Sequence, residues 1–329
     1  MAYGPFSSNR IQIGRETTAG TAVAADIVWR GPAADIEDTQ VVMRPGLEEN
    51  VGLLVPTERV YISQLGAALS IPDTEATYEH LPHIFEAGIK TATPTGDDPG
   101  PYVYAYAPGV STANTIKTYT LESGNAIAGD GNELEYGFVE SFTLSGKVGE
   151  AWKVSSNWRG RQKTVSTMTG SLALTAVEEI LFGKTQLYIH ASTIGTTIQA
   201  GVLLEASVTV NTGIQPVFAA DGTLYFTSHK ITPPSLDFTL TVELENTATT
   251  VATERAFWKS QATRLIRLIT TGSGSSGLTI DIAGKYTSVG GYQNSNGNTT
   301  VQLSGSAVYY PTTPLFFSFS VTNGLATLP

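Results

Sequence analysis

Alternation with a period of two runs through much of this chain. In SFTLSGKVGEAWKVSSNWRGR, residues 141–161, Trp152, Val154, Ser156 and Trp158 share one parity, and Lys153, Ser155, Asn157 and Arg159 share the other. Successive side chains of a strand point to opposite faces, so the segment reads as a hairpin with one largely apolar face and one polar face. FTLTVELE repeats the pattern: Phe238, Leu240, Val242 and Leu244 fall on one side, Thr239, Thr241, Glu243 and Glu245 on the other. Leu278, Ile280 and Ile282 continue it. Such strands bury one face and leave the other to water or a partner, as in sandwiches and barrels. Two stretches read as short helices instead. DTEATYEHLPHIFEAG offers Asp73 or Thr74 as a cap, Pro82 as an expected kink and Gly88 at the C-terminal end. In TERAFWKSQATRLI the candidate cap is Thr253.

The pattern is written twice. IQIGRETTAGTAVAADIVWRG, from Ile11, aligns with QLYIHASTIGTTIQAGVLLEA, from Gln186, when Thr18, Gly20 and Thr21 are set on Thr193, Gly195 and Thr196. At nearly the same offset VYISQLGAALSI, from Val60, falls on LDFTLTVELE, from Leu236. A helix candidate follows each, and strands follow each helix. The expected fold is all-β, with one short helix per unit and two tandem β-barrel or sandwich domains, residues 1–177 and 178–329. The first unit is the longer because of a Pro/Gly/Asp loop, TATPTGDDPGPY.

Composition narrows the functions. Apolar residues make up 41% of the 329 and charged residues 15%, which supports a packed core and excludes a disordered chain. The formal charge of −10 argues against gripping nucleic acid, because phosphate binding needs clustered Lys and Arg. It leaves room for a protein that must avoid gripping it. Without cysteine there are no disulfides, thiolate catalysis or Cys-ligated zinc. MAYGPFSSNR lacks the layout of a signal peptide, and no window of about 18 apolar residues marks a membrane span, so synthesis in a cytoplasm is expected.

Candidate chemistry is sparse. His80 and His83 sit at i and i+3 on the first helix with Glu79 and Glu86 nearby, but the HExxH spacing is absent and Pro82 disturbs the geometry. Helix-surface or interface histidines are the expectation. His190 and His229 are isolated, and no GxSxG elbow is present. TTGSGSSGL, residues 270–278, lacks the order of a phosphate loop and reads as a hairpin loop. WRGRQK, residues 158–163, is the one basic cluster; it suits a solvated strand end or a salt-bridging contact better than nucleic acid. More informative is VMRPGLEENVGLLVPTERVY, residues 42–61. It mixes Arg44, Glu48, Glu49, Glu58 and Arg59 with Leu47, Val51, Leu53, Leu54 and Val55. Compact domains rarely keep a long connection without a use, and this mixture suits docking on another subunit. Near the end of the chain Phe316, Phe317 and Phe319 either dock on a neighbour or form the last strand of their own domain; the latter is expected.

GRETTAGTAVAADIVWRGP, YGFVESFTLSGKVGEAWKVSSNWRGRQ and EEILFGKTQLYI together resemble the tail tube (major tail) proteins of long, non-contractile-tailed bacteriophages. The resemblance spans about residues 10–190 and fades beyond. It implies tail-tube-type β units with a flanking helix, assembled into rings that stack into a hollow tail in the virion. It also implies an acidic or neutral lumen through which DNA passes without specific binding, no cofactor, and tape measure, tail terminator and tail tip proteins as partners. Many such proteins carry one unit and form six-membered rings, whereas this chain is about twice that length. A duplicated chain needs three copies, so homotrimeric rings with pseudo-sixfold symmetry are expected. Arg44, Leu47, Glu48, Glu49, Leu53, Leu54, Glu58 and Arg59 are the expected inter-ring contacts. Glu133, Glu135, Glu140, Glu243 and Asp281 are the expected acidic lumen residues, from parity or strand-end position. The rivals are a capsid-decorating or adhesin-like β-protein, and a glycan hydrolase, for which no paired carboxylates are evident.

Overall fold

The computed structural model describes residues 5–96, 99–243, 248–295 and 297–329. Readings that involved Met1, Ala2, Tyr3, Gly4, Asp97, Asp98, Leu244 and Glu245 lie outside the described residues. The chain is mainly β. Along the first half run β1 (Asn9–Arg15), β2 (Ile27–Val28), β3 (Glu37–Met43), β4 (Tyr61–Glu75), α1 (Leu81–Gly88), β5 (Tyr102–Tyr106), β6 (Tyr119–Asn125), β7 (Asp130–Lys147), β8 (Lys153–Gly160) and β9 (Gln162–Ser166). The second half continues with β10 (Thr185–His190), β11 (Leu203–Asn211), β12 (Ile214–Val217), β13 (Ser228–Ile231), β14 (Ser235–Glu243), α2 (Ala248–Ser260), β15 (Arg264–Thr271), β16 (Gly277–Val289), β17 (Gln293–Ser295), β18 (Asn298–Ala307) and β19 (Phe317–Asn323).

Pairing is antiparallel throughout. In the first half β1 pairs β6, β6 pairs β7, β7 pairs β8, β8 pairs β4, β4 pairs β3, and β7 also pairs β9. In the second half β10 pairs β15, β15 pairs β16, β16 pairs β18, β18 pairs β14, β14 pairs β11, and β16 also pairs β19. Each pairing of the first set has a counterpart in the second, in the same order along the chain. The long strands β7 and β16 each change partners along their length: β7 pairs β6 and β9 first and then β8 and β11, and β16 pairs β15 and β19 first and then β18. β7 turns its corner at Tyr136, whose φ of 55° is rare for a residue with a side chain. The buried Glu16 carboxylate holds that corner, accepting from Tyr136 N at 2.8 Å, Gly20 N at 2.7 Å and Thr118 Oγ1 at 2.7 Å.

The aligned Gly20 and Gly195 both have φ of 75°, where an added Cβ would be strained. Each lies against an arginine, Arg161 and Arg267. These arginines bind Glu135 and Asp281, each at 2.6 Å. A second arrangement recurs at the helices. In α1 the buried Glu86 takes two bonds from Arg15, both at 2.8 Å, and one from Tyr119 Oη at 2.8 Å. In α2 the buried Glu254 takes two from Arg264, at 2.9 and 2.6 Å, and one from Tyr286 Oη at 2.8 Å. A buried carboxylate is tolerable only when its oxygens are filled in this way.

The helices start elsewhere than their sequence signals suggest. Asp73, Thr74 and Glu75 extend β4, because Thr74 and Glu75 pair with Val154 and Lys153 of β8. Helix α1 therefore begins at Leu81, and Pro82 sits in its first turn, where a missing N–H costs nothing, rather than kinking it. α2 begins at Ala248, so Thr253 is an interior residue. His80 and His83 are buried, not at the surface. Trp29 stacks on His80 at 4.8 Å, and His83 Nδ1 meets Tyr119 Oη at 3.1 Å.

Both halves share one core around α1. Phe85 stacks on Phe319 at 4.7 Å and packs on Phe142 at 5.3 Å and Tyr106 at 5.4 Å. The aromatic run near the chain's end is the strand β19, which pairs both β16 and β5. Ile180 takes backbone bonds with Ala76 and Trp152, so the connection between the halves lies along the first.

Candidate functional site

The two halves are joined edge to edge. β7, from Ser141 to Lys147, pairs β11 from Asn211 back to Glu205. One sheet thus runs continuously in the order β3-β4-β8-β7-β11-β14-β18-β16. Alternation sorts its faces. Trp158, Leu144, Val208, Phe238 and Leu303 point into the core. The opposite face is built of hydroxyls and amides that bind one another across strands. Ser70 Oγ donates to Asn157 Oδ1 at 2.9 Å, and Asn157 Nδ2 donates to Ser141 Oγ at 3.0 Å. Thr143 and Thr209 meet at 3.1 Å across the junction, and Thr239 and Ser304 at 3.3 Å. Side chains committed to their neighbours leave few free donors for a phosphate.

Several charges near this surface are paired. Arg159 binds Glu140 at 3.1 Å, Arg161 binds Glu135 at 2.6 Å, and Lys163 lies 3.8 Å from Asp38. The basic cluster of WRGRQK is therefore neutralised within the chain. Lys147 and Glu205 close the end of the junction at 3.1 Å. The five acidic residues singled out from sequence do not come together. Glu140 and Glu243 belong to the continuous sheet, whereas Glu133, Glu135 and Asp281 lie where β7 pairs β6 and β9 and β16 pairs β15 and β19. Burial, and then Glu122, Glu135 and Glu16, raise the Glu133 carboxyl above the ordinary carboxylate range.

The arm, residues 44–60, leaves the end of β3 and returns to β4. Its base is tied by Gly46 N to Arg59 O at 3.3 Å and Thr57 N to Gly46 O at 3.2 Å. Glu49 binds Arg59 at 2.6 Å and Thr57 Oγ1 at 2.8 Å. Leu47, Val51, Leu53, Leu54 and Val55 stay exposed, with Leu54 wholly so. Arg44, Glu48 and Glu58 lie on the same segment. The segment in the corresponding place of the second half, between β11 and β14, exposes Phe218 and Leu224 but is anchored by a buried Phe226. Its β12-β13 hairpin folds back on the first half, where Phe226 packs on Tyr136 at 5.1 Å and Phe138 at 5.9 Å.

Two further features were illegible in the sequence. Among the described residues β3 pairs only with β4, so its outer edge is open. At the other end β16 carries a bulge between Tyr286 and Ser288, matching the β7 bulge between Val139 and Ser141. The bulge carbonyls of β7 are met across the junction: Thr212 Oγ1 donates to Val139 O at 2.8 Å and to Glu140 O at 3.0 Å. Those of β16 are met by side chains. Gln261 Nε2 donates to Tyr286 O at 3.2 Å, and Trp258 Nε1 to Thr287 O at 3.0 Å.

Grooves elsewhere offer little chemistry. One of about 360 Å³ is lined by Pro108, Val110, Ile231, Pro234, Tyr309 and Phe316 and has no carboxylate or imidazole in its wall. Another, about 310 Å³, includes His190 and Glu254, but Glu254 is held by Arg264 and Tyr286. His190 Nδ1 accepts from Ser192 N and Thr193 N in a turn, and His229 meets Tyr136 Oη at 3.2 Å. Among the described residues no group of three or more His, Asp or Glu is placed to hold a metal ion. No helix there is long and apolar enough to cross a membrane. No protein-family model matches the chain, and the search of curated proteins returned no match.

Proposed function

We propose that this chain is the repeating subunit of a phage tail tube. Three copies close a ring of six β units, and rings stack into a hollow tail that conducts DNA. One observation carries the reading. The two halves, alike in strand pairing, are joined through a sheet edge (β7 with β11), while the equivalent outer edges, that of β3 beyond β4 and that of the C-terminal part of β16 beyond β18, lack a strand partner among the described residues. An internal junction of this kind is a template for an external one. Pairing β16 of one copy with β3 of the next repeats it head to tail, and such a contact closes a ring when the rotation per copy divides a full turn. Closure also removes two open edges, which otherwise invite aggregation.

In this reading the hydroxyl and amide face of the continuous sheet lines the channel. Its cross-strand bonds and paired cations give DNA little to adhere to, and the net charge of −10 opposes phosphate approach. The exposed arm is the contact between rings. Tape measure, terminator and tip proteins are the partners that the resemblance implies, and the virion tail is the location. The test is native mass measurement with negative-stain microscopy of the purified chain. Rings of three chains and tubes built from them are expected. Six chains per ring, or isolated globules at every concentration, would refute the proposal.

A further inference from the structure

The bulge carbonyls of β7 and β16 occupy equivalent places but are satisfied differently. In β7 they are met by Thr212, the residue that follows β11 on the far side of the junction. In β16 the donors are Gln261 and Trp258, from the end of α2. A third contact continues the series: Arg255 donates to Gly290 O at 3.2 Å while its guanidinium lies 5.0 Å from the Tyr292 ring centre. We infer that the end of α2 is a plug, holding in the unassembled chain the edge of β16 that β3 of a second copy takes in the ring. This rests on the ring reading and adds to it a step, release of Trp258 and Gln261 before the next subunit can pair.

The backbone of the plug supports the assignment. Ala262 N bonds Phe257 O and Gln261 N bonds Trp258 O, the paired bonds of a helix end whose terminal residue is left-handed. Gln261 fills that position with φ of 53°, where glycine carries no penalty. A glutamine there costs backbone strain, and its amide reaches both Trp258 O at 2.8 Å and Tyr286 O. Strain kept at an exposed position points to work done by the side chain. An edge shielded by side chains is also protected from unregulated pairing. The occupant must be another copy of this chain, because the internal junction already supplies the matching strand in β11, whose counterpart is β3.

The experiment compares wild type with the double variant W258F/Q261G. Phe keeps an aromatic ring at Trp258 without its N–H, and the left-handed strain that Gly relieves offsets part of the two lost hydrogen bonds, so the variant should still fold. Assembly is followed by light scattering and native mass. The variant should assemble with a lag shortened roughly tenfold, since two hydrogen bonds no longer have to break. An equal or longer lag overturns the plug. Trp29, Trp152 and Trp158 are buried, so a change in tryptophan emission on assembly reports Trp258. Assembly of the wild type without any such change also overturns it. If neither protein assembles, the ring reading fails, and a synthetic peptide of residues 36–45, the β3 sequence, decides the plug separately. Tighter binding of that peptide to the variant than to wild type supports the plug; equal binding or none overturns it.

Discussion

A proline on the outer edge of β3 tests the assembly at its seam. The internal junction pairs seven positions, Ser141 with Asn211 through Lys147 with Glu205, and sets the scale for the external one. Alternate residues of a strand direct their N–H groups to opposite sides, so of Thr39 and Gln40 one N–H faces β4 and the other the open edge. Proline at the second kind of position leaves the β3–β4 pairing intact, as edge strands permit. It removes one bond to the incoming strand and leaves that strand's carbonyl unsatisfied. One lost hydrogen bond and one stranded acceptor together cost about 3 kcal/mol, roughly 150-fold in the association constant of each contact. A closed ring has three such contacts, so the penalty is felt three times. Circular dichroism and thermal melting identify which of T39P and Q40P keeps the native fold, and native mass then counts chains. The variant with the intact fold should be monomeric where wild type forms three-chain rings. Rings of normal yield from it would show that β3 is not the seam.

Replacing residues 46–55 with a short Gly/Ser link should leave a folded protein that still closes rings but no longer stacks them; long tubes by negative stain would show the arm has no role between rings. Glu86→Ala should destabilise the chain by about 3–5 kcal/mol in urea titrations, because it strands the Arg15 charge and a buried Tyr119 hydroxyl, and Glu86→Gln should cost less. Burial, helped by Arg30, pushes His80 down to about 4, and burial, helped by His80 and Arg15, pushes His83 down to about 3. The unfolded chain takes up these protons near pH 6.5 and the folded chain does not, so stability should be full above that pH and fall as pH drops toward 4. The double variant H80Q/H83Q should flatten that slope, and an unchanged slope would assign the acid lability elsewhere.

Much of this architecture follows from local pattern. The alternation in residues 141–161 and 236–243 determined that these are strands and which face each buries, because side-chain direction in a strand depends only on parity. The Thr-x-Gly-Thr turns at Thr18 and Thr193 marked corresponding corners, since the glycine conformation is itself local. The arm was visible as a long connection of mixed character. Pairing partners were not visible, because an antiparallel contact such as Ser141 with Asn211 joins residues far apart in sequence. Tertiary structure also overrode local signals. Asp73 and Thr74 look like helix caps, but pairing with β8 keeps them in β4. His80 and His83 read as helix-surface or interface residues, but α1 is enclosed by β5, β7 and β19, so its side chains are buried within the chain. The acidic residues chosen by parity do not all line one surface, because Glu140 and Glu243 sit on the continuous sheet whereas Glu133, Glu135 and Asp281 sit where β7 pairs β6 and β9 and β16 pairs β15 and β19. The donors to the β16 edge, Trp258 and Gln261, carried no motif; they gained a role only when the chain brought the end of α2 beside a bulge.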